Sequence, residues 1–130
     1  MPVRVIAPNV RSGSVLVPAA DLVICVASTI GIEAAHQRIP VISFFTKLSR
    51  ERLRLQTGIS TWKPVELGAH AMVFEDINQL SREILWLLSD KGRKGTAKHQ
   101  KLIYPVEKKR GGVTEKMIDA LSDMALAKTV

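Results

Sequence analysis

The sequence predicts an α/β domain built on a short parallel sheet. The first reason is a set of brief apolar runs, Val3–Ala7, Leu22–Val26, Val41–Phe44 and Ala71–Phe74, each of strand length. The second is the chain between them, long enough each time for a crossover and too long for a tight hairpin. The third is the helical periodicity after Asp76, where Ile77, Leu80, Ile84 and Leu87 recur at steps of three and four. With 130 residues, 46% of them hydrophobic and 24% charged, the chain has the length and composition of one globular domain.

The elements can be justified in order. Val3–Ala7 is entered through Pro2 and stopped by Pro8-Asn9, and Arg11-Ser12-Gly13-Ser14 reads as a turn. Val15–Ala20 is a brief helical segment limited by Pro18. Leu22–Val26 is continuous rather than alternating, as expected of a strand buried on both faces, and Pro40–Phe45 repeats that pattern. Leu48, Leu55 and the Gly58 stop, among Lys47, Arg50, Arg52 and Arg54, fit a basic amphipathic helix on a membrane surface, but the apolar stripe is thin and favours a helix or ordered loop over the sheet edge. Asp76 and Gln79 have the spacing of a capping box that opens the helix ending near Ser89-Asp90-Lys91-Gly92. Lys91–Tyr104 is a basic helix broken at Pro105, and Gly111-Gly112 is a hinge. Val113, Met117, Leu121 and Met124 give a last helix one apolar face, expected to pack back across the sheet. Residues 1–90 thus form the core and residues 91–130 a basic helical segment.

The chemistry concentrates in Asp21–Phe45. A buried strand there feeds a helix through small hydroxylated residues, and Ser28 or Thr29 can cap that helix by accepting from its free N–H groups. Such a helix start suits a phosphate, and Gly31 leaves room for another molecule to approach the backbone. Glu33, four residues after Thr29, shares its face and is placed to accept from sugar hydroxyls beside a phosphate. His36 comes three residues after Glu33, so it either faces the same ligand or serves as a cation at the helix end. Trp62 can pack a loop onto the domain. Cys25 lies in an apolar run with no basic neighbour and reads as a buried structural thiol.

The segment ADLVICVASTIGIEAA, continued by IPVISFF, resembles the nucleotide-sugar-binding part of the C-terminal domain of GT-B glycosyltransferases, the superfamily of lipid-A-disaccharide synthase and the UDP-N-acetylglucosamine 2-epimerases. LGAHAMVFEDINQLSREILWLLSD is similar to the next strand, acidic turn and helix of those domains, so the likeness covers roughly Val3 to Asp90. The resemblance implies a Rossmann-like three-layer fold, truncated relative to a full GT-B C-terminal domain, that binds a UDP-sugar as donor substrate without a separate cofactor. It implies Ser28, Thr29, Ile30 and Gly31 against the diphosphate, Glu33 on the ribose and, as the other role for Trp62, stacking on the nucleotide base. It identifies no catalytic residue, since the acceptor site and often the base belong to the other domain, so transfer would need a protein partner or an N-terminal domain. Relatives usually have Gly where this chain has Arg38, just before the second strand.

Charge supports a second, non-catalytic reading. Net charge is +7, and the nine Lys or Arg between Lys91 and Lys116 against Glu107 and Glu115 account for all of it. Such a tail can dock an anionic partner or membrane surface, whereas nucleic acid is disfavoured because Tyr104 is the only aromatic residue among the charges. The lone cysteine, the lack of a signal-peptide core and the shortness of the apolar runs predict a cytoplasmic protein, at most peripheral to the membrane. His36, His70 and His99 lack metal-site spacing, and neither a serine-hydrolase elbow nor a P-loop is present.

Overall fold

The computed structural model describes residues 3–6, 12–105 and 113–128. Its centre is β2 (Val41–Phe45), five apolar or small residues of which only Phe44 is less than fully buried. β1 (Val23–Cys25) pairs with one edge of β2 and β3 (Ala71–Phe74) with the other, both in parallel. The order is β1-β2-β3, with Val23 opposite Val41 and Phe44 opposite Val73. No hairpin joins consecutive strands, as the spacing of the apolar runs required.

Alternation along the strands gives the sheet two cores. On one face Val41 meets Ala34 and Ala35 of α2 (Thr29–His36), with Val17 from the 3-10 turn Val17–Ala19 that comes after α1 (Gly13–Leu16). Small residues let α2 lie close to the strands. On the other face Ile42 and Val73 meet Leu80, Ile84 and Leu87 of α5 (Ile77–Leu88), the residues whose periodicity announced that helix. Asp76 caps α5 by accepting from the Gln79 N–H at 3.0 Å.

The edge opposite the strand ends is closed by α6 (Asp90–Ile103). Ser89 ends α5 and begins α6: its hydroxyl donates to the Trp86 carbonyl and accepts from the Gly92 N–H. Gly92 is required there, because a Cβ would strike the Trp86 carbonyl oxygen. Buried Gln100 then donates through Nε2 to the carbonyls of Ile39 (2.9 Å) and Ala69 (3.3 Å), which precede β2 and β3. Arg38 takes the left-handed conformation (φ 63°) that glycine would hold without strain, and its guanidinium bonds the carbonyls of Tyr104 (2.6 Å) and Ala35 (3.2 Å). The turn survives the missing glycine because the side chain gains these partners.

Several expectations are corrected. Residues 3–6 form no strand, and Val3 and Val5 are 91% and 90% exposed; four residues bury too little apolar surface alone to offset the entropy of ordering them. Ala7, at the end of that run, and the Gly111-Gly112 hinge lie outside the described residues. β1 is an edge strand rather than one buried on both faces, and Ile24 is 46% exposed because α5 packs over β2 and β3. α3 (Lys47–Thr57) forms and stops at Gly58 (φ 72°), yet it buries no residue fully and leaves Leu48 and Leu55 exposed. α7 (Val113–Lys128) forms too, but its Met117, Leu121 and Met124 are exposed, and α6 makes the return across the sheet instead.

Candidate nucleotide site

Three helices, α2, α3 and α5, start where the three parallel strands end, the usual place for a ligand in an open α/β sheet. Two of these starts are filled by the chain's own groups. At α3, Thr46 and Ser49 cap reciprocally, and Glu75 Oε1 accepts from the Lys47 N–H at 2.5 Å. At α5 the Asp76 carboxylate holds the first turn. At α2 the cap is the neutral Ser28 hydroxyl, which accepts from the Ile30 N–H at 3.3 Å, and the first turn carries no acidic residue. The positive end of α2 therefore lacks the carboxylate that its neighbours possess.

The turn into α2 is tight. Ala27 sits at φ 38°, a conformation that costs a residue with a Cβ roughly 1 to 2 kcal/mol. That bend brings the Ser28 and Gly31 N–H groups to the thiol of Cys25. Burial raises the Cys25 pKa, and these backbone hydrogen bonds oppose the rise. The thiol is half-buried rather than buried, at the end of the edge strand β1.

Of the five residues assigned to a ligand, the structure separates two kinds. Thr29 is exposed and Glu33 half-buried, one turn apart on the side of α2 away from the buried Gly31, Ala34 and Ala35. Glu33 makes no side-chain hydrogen bond or ion pair among the described residues, so its carboxylate is available. Ser28 and the Ile30 N–H stand at the helix start, while the Ile30 side chain packs against Gly13. Gly31 departs from expectation. It is buried, and a Cβ on it would lie 2.8 Å from His70 Cε1, 2.9 Å from Cys25 Sγ and 3.2 Å from Val41 Cγ1. The glycine serves close packing of α2 on the sheet rather than access for another molecule.

Beneath Gly31 lies a pair that the sequence did not single out. Ser43, wholly buried in β2, is 3.0 Å from His70 Nδ1, while His70 Nε2 has no hydrogen-bond partner among the described residues. Desolvation holds the His70 pKa below its ordinary value, and the Gly31 backbone offsets this in part. Only burial distinguishes His70, and a histidine in a loop before a strand carries no periodic signal of it. The other histidines are also accounted for: His36 stacks on Tyr104 at 4.3 Å, and His99 is exposed on α6 at the far end of the sheet. The His36 ring thereby fastens the last turn of α2 to the end of α6.

Beside the end of β2, between α3 and α4 (Lys63–Glu66), is an open pocket of about 160 Å³. Phe45, Leu53, Val65 and Met72 make it apolar, and Arg50 and Trp62 line it. The Arg50 guanidinium sits 5.2 Å above the Phe74 ring. Trp62 is half-buried, and its indole N–H is buried without a hydrogen-bond partner among the described residues. Among the described residues no cluster of three or more His, Cys, Asp or Glu could hold a metal ion, and no helix is long and apolar enough to cross a membrane. No family model, curated protein or solved structure matches the chain.

Proposed function

We propose that the chain is a Rossmann-like nucleotide-sugar-binding domain of glycosyltransferase type that holds the diphosphate of a UDP-sugar at the start of α2. The observation that carries this reading is the contrast among helix starts: α3 and α5 are filled by carboxylates, whereas α2 has only Ser28 at 3.3 Å and a free Glu33 one turn deeper. Ser28, Thr29 and the first-turn N–H groups hold phosphate oxygens, and Glu33 accepts from the ribose hydroxyls through charge-assisted bonds. The pocket of Phe45, Arg50 and Trp62 takes the planar base, and the orphan indole N–H donates to one of its carbonyls. None of the three histidines offers a base at this edge, so activation of an acceptor hydroxyl falls to a second domain or a partner.

Calorimetric titration with UDP tests the reading. Glu33→Ala is expected to weaken binding by about 1.5 to 3 kcal/mol, the worth of hydrogen bonds to a charged group, without loss of fold. Unchanged affinity, or unfolding of the variant, contradicts it.

A further inference from the structure

We infer that the outer face of α6 docks on an anionic lipid bilayer. This goes beyond nucleotide binding and does not depend on it, for α6 lies at the opposite end of the sheet. The side of α6 turned to the domain carries Gly92, Gln100 and Ile103, which are buried or half-buried. Lys91, Lys94, Lys98 and Lys101, at successive steps of three, four and three, fall on the opposite side, and all are exposed. They form a straight ridge about 15 Å long at 1.5 Å per residue. None of the four is in an ion pair among the described residues, whereas Arg93, off the ridge, reaches Asp21 at 3.6 Å.

The composition of the ridge selects its occupant. Its cations are lysines alone, with exposed Asp90 beside them one turn before Lys94, and lysines are compact point charges suited to a diffuse negative surface rather than the forked guanidinium that grips individual phosphates. Leu102, 75% exposed, stands in the same stripe beside Lys98, and such an apolar group gains by entering the headgroup region. The nearby aromatic ring, Tyr104, is stacked on His36, so no platform for nucleic-acid bases stands on the ridge.

Sedimentation of the whole chain with phosphatidylcholine vesicles, with and without phosphatidylserine, tests the inference. Partition onto the mixed vesicles is expected at low salt and should weaken strongly at physiological salt, where the Debye length is about 8 Å. At about five-fold per lysine, Lys94→Gln with Lys98→Gln should lower the partition about 25-fold. Arg52→Gln with Arg54→Gln on exposed α3 removes the same charge and should leave most of it. Failure to bind mixed vesicles, equal loss in the two charge-matched variants, or tight binding of duplex DNA without vesicle binding overturns the inference.

Discussion

The two ends of the sheet are finished differently. Where the strands begin, buried side chains close the structure: Gln100 bonds two carbonyls, and Arg38 and His36 fasten α2 to the last turn of α6. Where the strands end, Ala27 and Glu75 adopt left-handed conformations and Thr29 is exposed. Strain of one kind occurs at both ends, yet only Arg38 is compensated by two hydrogen bonds from its own side chain. The ends differ in how the left-handed turns are offset and in what the helix starts carry, while each holds a buried polar atom without a partner among the described residues, Gln100 Oε1 at one and the Trp62 N–H at the other.

The largest expected effect comes from breaking the closed end. Gln100→Leu leaves the Ile39 and Ala69 carbonyls without their donor and should cost about 2 to 3 kcal/mol in urea unfolding. A cost below about 0.5 kcal/mol, within the range of ordinary surface substitutions, would erase the distinction between the ends.

A smaller effect is expected of His70, whose burial favours the neutral ring. Because its folded pKa is depressed, the unfolded chain binds the proton more readily; the contribution is present above the unfolded value near 6.5 and is lost as pH falls below it. His70→Gln should flatten the dependence of stability on pH in that window, and an unchanged slope would assign the acid sensitivity elsewhere. The smallest effect belongs to Ala27→Gly, which removes the Cβ from a left-handed residue and should raise the thermal unfolding free energy by a few tenths to about 1 kcal/mol. A loss of stability would show that the turn is not strained.

Much of the fold was legible because periodicity reports which face is buried. The runs at Leu22, Val41 and Ala71 became strands, and the steps from Ile77 to Leu87 became α5. What periodicity does not report is whether a partner surface exists. Met117, Leu121 and Met124 of α7 and the valines of residues 3–6 have the right pattern and remain exposed, whereas Gln100, polar and amid lysines, is fully buried. Of the candidate site, the Ser28 cap of α2 was legible, and Glu33 makes no side-chain bond among the described residues, but Gly31 was misread, because a sequence does not distinguish a glycine kept for a ligand from one kept for Cys25, Val41 and His70. Ala27 gave no warning of its conformation, since alanine is uncommon there.

The difference between the two ends is tested most directly by mapping amide and indole shifts while UDP is titrated into the chain. The account predicts that shifts gather at residues 27–34 and at the Trp62 indole N–H, with Gln100 and the α6 amides unmoved. Shifts confined to the α6 lysines, or none between Ala27 and Ala34, would contradict it.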